Sequence, residues 1–281
     1  MSRVHDALQR AGATFVAGST DPTGGWPVSL TADDLLRSVP AVPFRLSPDA
    51  LTIDAAGSGQ APNEEFRALR TRLNHMQSRQ PIRSVVITSA SPAEGKSFAA
   101  TNLALAEAQL AGNQVLLCDF DLRRPVIHDF FQVDRGPGLT DYLLGKIPLQ
   151  LAMRRLGDGN LYIMPAGQPV VNPLELLNLP AAKQLLDRLA GLFHWVLLDS
   201  PPLLFAADGN LLATLCDATI LVVRIGATTI DSIARARQAL CRDNVIGIVV
   251  NAARRGELYN KYTYHSYDAS QQAALSPPAE S

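Results

Sequence analysis

A lysine and a serine follow an apolar run in an arrangement that can bind phosphate. Residues 84–87, Ser-Val-Val-Ile, predict a strand that is buried on both faces. Residues 90–97, Ala-Ser-Pro-Ala-Glu-Gly-Lys-Ser, are called the phosphate loop below, and they open an Ala- and Leu-rich segment that predicts a helix to about residue 112. Backbone N–H groups at the N-terminus of such a helix converge on an anion, and the helix dipole adds partial positive charge. Lys96 is predicted to contact the β- and γ-phosphates of a nucleotide, and Ser97 to bind Mg²⁺.

Small residues in the phosphate loop decide how closely its backbone approaches an anion. A Cβ at Gly95 would hold the backbone away from the phosphates. Ala93 carries a methyl group where glycine is common, and we expect it to stiffen the loop without preventing binding. The motif alone is short, and the alternative interpretation is an ordinary strand, turn and helix with a solvated lysine.

Two later apolar strands end in aspartates. Residues 115–118 lead into Asp119 and Asp121, and residues 195–198 lead into Asp199. In open parallel sheets, ligands bind outside the carboxyl ends of the strands. Two carboxylates beside a phosphate loop suit Mg²⁺ binding and the removal of a proton from an attacking hydroxyl. Asp199 has the form of a Walker B aspartate, which holds Mg²⁺ directly or through water.

The order of the remaining segments predicts the fold class. Further strands are predicted at residues 161–164, 218–224 and 245–250, and helices at residues 172–191 and 229–242. Asn251 ends the last strand, where its amide either faces a nucleotide base or caps a turn. Strands that alternate with helices predict an α/β, P-loop NTPase-like fold, a doubly wound, mostly parallel sheet with helices on both faces.

Composition limits the classes of protein that this chain can belong to. It has 281 residues and a net charge of −1, so nucleic acid is not expected as a partner. Its three cysteines lack metal-binding spacing and favour a reducing compartment. No apolar run reaches the ~18 residues of a membrane span, and the first residues lack the apolar core of a secretion signal. We therefore expect a cytoplasmic protein.

Changes in composition along the chain predict three regions. Residues 1–62 are predicted to form an N-terminal helix and a flexible arm. The helix, at residues 1–12, is either a docking helix or a frayed terminus, and the Gly-, Pro-, Ser- and Thr-rich arm can pack in part on the core. Residues 63–256 are the predicted P-loop domain, and residues 257–281 a tyrosine-rich, largely disordered tail.

Four of the chain's six tyrosines lie within nine residues of the tail: Tyr259, Tyr262, Tyr264 and Tyr267. A strand of alternating aromatics is the structural alternative, but the polar residues between the tyrosines leave such a strand little to bury. Accessible hydroxyls on a phosphate-loop protein are candidate phosphoryl acceptors.

The helix predicted from residue 63 onward carries three charged residues at intervals of three. Glu64, Arg67 and Arg70 therefore line one flank of that helix. The pattern alone favours a solvent-exposed face stabilised by local ion pairs, and the alternative is a contact with another subunit.

The phosphate loop, the Asp119-x-Asp121-x-Arg123 element, the strand that ends in Asp199 and the terminal tyrosines together resemble the bacterial tyrosine kinases (BY-kinases) of exopolysaccharide and capsule export loci. The resemblance covers roughly residues 63–267 and rests on the combination of motifs. It implies a protein-tyrosine autokinase that uses ATP and Mg²⁺ and phosphorylates its own terminal tyrosines in a neighbouring subunit.

The resemblance also implies roles for particular residues. The implied catalytic residues are Lys96, Asp119, Asp121 and Asp199. Asp119 would orient or deprotonate the acceptor hydroxyl, although the roles of Asp119 and Asp121 can be exchanged. The implied Mg²⁺ ligands are Ser97, Asp121 and Asp199. The implied nucleotide-binding residues are Ala93, Glu94, Gly95, Lys96, Ser97, Phe98, Arg123 and Asn251.

Implied partners follow from the same family. Glu64, Arg67 and Arg70 match its Glu-x-x-Arg-x-x-Arg element, which forms a ring of subunits, so the resemblance overrides the solvent-face interpretation. Some members are fused to a two-span membrane protein of the chain-length-determinant type, and this chain is similar to those that are separate cytosolic proteins. Its implied partners are itself, the cytosolic segment of such a membrane protein and a tyrosine phosphatase. The implied location is the cytoplasm, with recruitment to the inner face of the membrane.

Two other classes remain as alternatives. A partition or septum-positioning ATPase of the MinD/ParA type shares the fold, but it carries a second lysine where this chain has Ser91 and usually a C-terminal membrane helix. A non-catalytic nucleotide-sensing subunit of an export machine would bind ATP and use the tail only for docking.

Overall fold

Parallel strands alternate with helices through the part of the chain that the computed structural model describes, which is residues 31–47, 63–241 and 243–252. The strands are β1 (Ala41–Val42), β2 (Ser84–Ser89), β3 (Val115–Asp119), β4 (Arg154–Leu156), β5 (Leu161–Met164), β6 (Trp195–Asp199), β7 (Ala218–Arg224) and β8 (Val245–Asn251). The helices are α1 (Ala32–Arg37), α2 (Asn63–Gln77), α3 (Lys96–Ala108), α4 (Ile127–Phe130), α5 (Leu139–Leu143), α6 (Leu149–Ala152), α7 (Pro173–Leu177), α8 (Pro180–Leu192), α9 (Ala207–Leu215) and α10 (Ile230–Ala239).

The strands form one sheet in the order β1-β4-β5-β3-β6-β2-β7-β8. Neighbouring strands are parallel except β4 and β5. The strand before the phosphate loop, β2, lies between β6 and β7, and β3 lies on the far side of β6. The predicted mostly parallel sheet is therefore confirmed, and the carboxyl ends of β2, β3 and β6 lie side by side.

The central strands are buried along their whole length, as their near-continuous apolar sequences require. On one face of the sheet, Val85 and Ile87 belong to a hydrophobic cluster with Leu103 of α3. The rings of Phe66 in α2 and Phe98 in α3 meet edge to face with their centroids 6.1 Å apart. This packing fixes the helix that follows the phosphate loop against both the sheet and α2.

Two predicted helices differ from the observed ones. The prediction of one helix over residues 172–191 is wrong, because α7 and α8 are separate. Pro180 begins α8, and Leu179 before it has extended backbone angles (φ −63°, ψ 144°), since a residue that precedes proline is disfavoured in the helical region. The helix after the phosphate loop ends at Ala108 rather than near residue 112.

Part of the predicted N-terminal arm has regular structure. α1 belongs to a different compact unit from the sheet, and the Thr31 hydroxyl before it donates to Asp34 Oδ2 at 2.7 Å. In the other unit, β1 pairs with β4 and the Ser47 N–H donates to the Phe130 carbonyl at 2.8 Å. A flexible arm was predicted here, but β1 extends the sheet. The predicted helix at residues 1–12 and the tail at residues 257–281 lie outside the described residues.

None of the helices in the described ranges combines the length and the apolar character needed to cross a membrane.

A buried polar network joins α2, α3 and β6. The Trp195 indole N–H donates to Asn74 Oδ1 at 3.1 Å, and Asn74 Nδ2 donates to Glu107 Oε2 at 2.9 Å. Glu107 is fully buried. Burial raises the pKa of Glu107 to about 7, against the opposing effects of the Asn74 hydrogen bond and the charge of Arg70. The folded protein therefore resists ionisation of this carboxyl up to neutral pH.

We expect the Glu107→Gln variant to be more stable than the wild type at pH 8 and not at pH 4. The unfolded carboxyl ionises above about pH 4.5 and the folded one only above about 7. Ionisation of this carboxyl in the unfolded state alone thus lowers stability as pH rises through this window, and stability stays low above it. The substitution removes that loss, which is on the order of 1–3 kcal/mol.

Thermal unfolding from pH 4 to 8 measures this difference, with a gain at pH 8 of about 2–8 °C in Tm. The matched control is Glu65→Gln, a carboxylate on the exposed face of α2. A gain that did not depend on pH would contradict the prediction.

Candidate active site

The phosphate loop adopts two left-handed backbone conformations before α3 begins. Ala93 has φ 62° and Gly95 has φ 92°. A Cβ on Gly95 would collide with the Asn251 side chain at the end of β8. Two features of the structure therefore require glycine at position 95: its positive φ angle and the close Asn251 side chain. The sequence alone indicates a different reason, that a Cβ there would hold the backbone away from phosphates.

Lys96 lies among carboxylates at the carboxyl edge of the sheet. Its Nζ is 2.8 Å from Asp121 Oδ2 and 3.5 Å from Asp199 Oδ1, and it donates to Ser97 Oγ at 3.2 Å. Burial by itself would lower the pKa of Lys96, but the charges of Asp199 and Asp121 outweigh burial and hold the pKa above its usual value. Lys96 is thus a partly buried side chain that keeps its positive charge, as a phosphate-binding residue must.

Asp119 and Asp199 lie side by side in the β3–β6 register and are both fully buried. Asp119 Oδ2 accepts the backbone N–H groups of Val126 and Ile127, each at 3.0 Å. Burial raises the pKa of Asp119 well above its ordinary value, and the nearby Asp199 adds to this. Burial also raises the pKa of Asp199, against the opposing effects of Lys96 and Ser97.

The buried oxygens Asp119 Oδ1 and Asp199 Oδ2 lack a hydrogen-bond partner, and Asp199 Oδ1 has only the ion pair with Lys96 at 3.5 Å. A buried acceptor without a partner is unfavourable, and a cation can satisfy it. Within the described ranges, no three His, Cys, Asp or Glu side chains come close enough together to hold a metal ion by themselves. The buried oxygens without a hydrogen-bond partner, next to a loop that can bind phosphate, fit Mg²⁺, which typically binds one or two carboxylates together with substrate phosphates and water.

Arg123 is held by a residue that the sequence did not single out. Its guanidinium forms a two-point ion pair with Asp208 at the start of α9, with Nε to Oδ2 at 2.7 Å and Nη2 to Oδ1 at 3.2 Å. The Asp208 carboxylate is buried, whereas 48% of the Arg123 side chain is exposed. The only sequence signal for Asp208 is its place in the first turn of the helix after the Walker B strand.

Other predicted residues of the phosphate loop contact protein groups. The Glu94 carboxylate is buried and accepts the Ser91 N–H at 2.9 Å and the Thr228 hydroxyl at 2.5 Å. Asn251 Nδ2 donates to the Glu94 carbonyl at 3.0 Å. Phe98 packs against Phe66 of α2. The predicted site residues of the described ranges thus lie on or next to this edge of the sheet, apart from those in α2.

The charged flank of α2 is largely satisfied within the chain. Glu64 Oε1 accepts from Arg67 Nη1 at 2.7 Å in an exposed ion pair. Arg70 Nη1 donates to the Ala106 carbonyl near the end of α3 at 2.8 Å. Arg67 and Glu64 therefore remain exposed, while Arg70 also ties α2 to α3. The acceptor tyrosines lie outside the described residues.

The fold and the site together define a P-loop NTPase-like domain with a lysine and three aspartates at one sheet edge. No family model matches the chain. It is 34% identical to the tyrosine-protein kinase YwqD of Bacillus subtilis over 205 residues, which is 72% of this chain and 86% of YwqD. It is 32% identical to the tyrosine-protein kinase Etk of Escherichia coli over 206 residues, 73% of this chain but 28% of Etk.

Solved structures agree with this relationship. The kinase domain of Escherichia coli Etk matches with a TM-score of 0.66 and 28% identity over 80% of this chain and 97% of that domain. The septum-site protein MinD of Pyrococcus furiosus matches with a TM-score of 0.53 and 20% identity over 68% of this chain and 79% of MinD, which is a likeness of fold alone. The chain belongs to the bacterial tyrosine kinases, the BY-kinases.

We expect Arg123→Met to destabilise the domain by about 1–3 kcal/mol, because it leaves the buried Asp208 carboxylate without its ion pair. Adding Asp208→Asn should restore part of that loss, since a neutral amide is less unfavourable to bury. Urea unfolding gives the free energies.

The control is Arg235→Met, which removes an ion pair with Asp231 that is exposed on both sides and should change stability by less than about 0.5 kcal/mol. Equal stability of the Arg123→Met single variant and the double variant would contradict the interpretation of this pair.

Proposed function

We propose that this chain is an ATP-dependent autokinase that phosphorylates its own terminal tyrosines, Tyr259, Tyr262, Tyr264 and Tyr267, in a neighbouring subunit. One observation carries the proposal: Lys96 lies between buried carboxylates at the mouth of a loop whose backbone can bind a triphosphate. Membership of the tyrosine kinases supports the reaction type, and the tyrosine-rich tail supports the choice of acceptor.

The site residues have separable roles in this reaction. Lys96 and the phosphate-loop amides hold the β- and γ-phosphates and stabilise charge that moves toward the β-phosphate as transfer proceeds. Asp119 has one free carboxylate oxygen and would accept the proton from the tyrosine hydroxyl. The tyrosine oxygen forms a bond to the γ-phosphorus, the bond from that phosphorus to the β–γ bridging oxygen breaks, and ADP leaves.

Ser97, Asp121 and Asp199 would hold Mg²⁺, which neutralises phosphate charge when bound. In the structure, Asp121 and Asp199 contact Lys96. The same residues can therefore balance the lysine in the absence of nucleotide. The unperturbed pKa of tyrosine is about 10, so a nearby carboxylate of raised pKa is a suitable acceptor for its proton.

The proposed biological role is regulation of exopolysaccharide polymerisation and export. It rests on the resemblance to kinases of exopolysaccharide and capsule loci. The proposed partners are other copies of the chain, the cytosolic segment of a membrane chain-length-determinant protein and a tyrosine phosphatase, and the proposed location is the cytoplasm next to the membrane.

A mixing experiment tests the catalytic assignment. Lys96→Met should abolish phosphotyrosine formation because it removes the charge on the phosphates, while its tail remains an acceptor. A chain with all four tail tyrosines changed to phenylalanine should keep the active site and lack acceptors. On mixing with Mg²⁺ and ATP, the Lys96→Met chain should become phosphorylated by the other, which mass spectrometry of differently tagged chains detects.

The controls are Lys183→Met, an exposed lysine of α8, and Tyr142→Phe, and both should retain activity. Phosphate release without phosphotyrosine would instead support an ATPase of the MinD type, and nucleotide binding alone a non-catalytic regulator. A negative result is repeated with the cytosolic segment of the membrane partner, and a second negative result would reject the autokinase.

Charge reversal on α2 tests the proposed ring. Arg67→Glu places a like charge beside Glu64 on an exposed surface and should shift the mass in solution toward the monomer. The addition of phosphates, each of about −1.5 to −2 charge, to the tail should have the same effect through repulsion. Light scattering of the wild type, of Arg67→Glu and of the phosphorylated form measures both. Identical masses would contradict the ring.

A further inference from the structure

Two consecutive peptide groups of the phosphate loop are held from behind by side chains of β7 and β8. Arg224 Nη1 donates to the Ala93 carbonyl at 3.0 Å, and Asn251 Nδ2 donates to the Glu94 carbonyl at 3.0 Å. Arg224 and Asn251 are the last residues of their strands and are paired in the β7–β8 register. The two bonds therefore come from one rigid end of the sheet.

The planarity of the peptide group gives these bonds a consequence for phosphate binding. In a trans peptide the carbonyl of one residue and the N–H of the next point in opposite directions. Fixing the Ala93 and Glu94 carbonyls toward the ends of β7 and β8 therefore directs the N–H groups of Glu94 and Gly95 the opposite way. Successive N–H groups turned to one side by alternating backbone conformations form an anion-binding nest.

The conformation of the loop depends on this support. Ala93 is a non-glycine residue with φ 62°, which is less favourable than an ordinary backbone and needs surrounding contacts to hold it. The Asn251 side chain lies so close beneath Gly95 that only glycine fits there. The Glu94 carboxylate adds a third contact by accepting the Thr228 hydroxyl from the turn that follows β7.

We propose that Arg224 and Asn251 are positioning residues, which orient the Glu94 and Gly95 amides toward the nucleotide phosphates. Neither would recognise the base. From the sequence, Asn251 is either a contact to the base or a turn cap. Its Oδ1 accepts the Ala252 N–H at 2.8 Å and its Nδ2 is engaged by the Glu94 carbonyl, which favours the second alternative. The inference rests on the nucleotide binding contained in the proposed function.

The test compares Mg²⁺-ATP with Mg²⁺-tripolyphosphate, which has the phosphates and no base. Affinities are measured by displacement of a fluorescent ATP analogue. Asn251→Ala should weaken binding of both ligands by the same factor, about tenfold. Arg224→Met should weaken both by about threefold, because its hydrogen bond is exposed to solvent. Asn251 is uncharged, so its effect cannot come from lost attraction to phosphate.

Matched controls come from the opposite edge of the sheet. Asn160 Nδ2 donates to the Leu110 carbonyl and Arg83 Nη1 to the Phe193 carbonyl, each at 3.4 Å. Asn160→Ala and Arg83→Met remove the same kinds of bond and should leave both affinities unchanged. Thermal unfolding checks that each variant is folded, and Arg224→Met, at an exposed position, carries the test if Asn251→Ala does not fold.

Each other outcome overturns the inference. A loss for ATP alone would make Asn251 a base contact, and no loss for either ligand would make both bonds irrelevant to phosphate binding. A wild-type chain that binds ATP but not tripolyphosphate would also overturn it, because the loop amides would then not recognise phosphate by themselves. If the wild type binds neither, the proposed function fails together with the inference.

Discussion

Buried carboxylates at one edge of the sheet require positive charge or hydrogen-bond donors next to them. Asp119 and Asp199 are completely buried next to Asp121, and within the described residues Lys96 is the cation that contacts this group. Removing carboxylates from water is unfavourable unless they are paired or protonated. Burial raises the pKa of Asp119 and of Asp199, and Asp119 Oδ1 and Asp199 Oδ2 have no hydrogen-bond partner, so the pairing is incomplete. Incomplete pairing of this kind is unfavourable, and a bound cation would offset it.

The sheet topology creates this concentration of charge. The strands that carry the phosphate loop, Asp119 and Asp199 are adjacent and parallel, so residues far apart in sequence end at the same edge. The phosphate loop is supported from the other side by the ends of β7 and β8, through Arg224 and Asn251. The lysine and the loop amides are therefore held by strands on both sides of β2. Under the proposed function, this support would reduce the reorganisation required for phosphate binding.

The likeness to MinD is a likeness of fold. The relationship to the tyrosine kinases is also supported by sequence identity. At 20% identity the MinD match concerns the fold, while YwqD and Etk match at 34% and 32% over almost three quarters of this chain. The chain spans most of YwqD but less than a third of Etk.

The sequence by itself determined the fold class, the phosphate loop and the two apolar strands that lead into the three aspartates, because apolar runs, Gly-Lys-Ser and aspartates at or just after a strand end are local patterns. Only the tertiary structure decided which groups meet them. Arg123 and Asp208 are 85 positions apart in the sequence, and Asn251 and Glu94 are 157 apart. A local sequence pattern cannot predict contacts between residues so far apart. The break between α7 and α8 has a local cause in Pro180, which the prediction of one helix over residues 172–191 did not take into account. Strand β1 has only two residues and depends on β4 as a partner, so a sequence of its length carries too little signal to predict it.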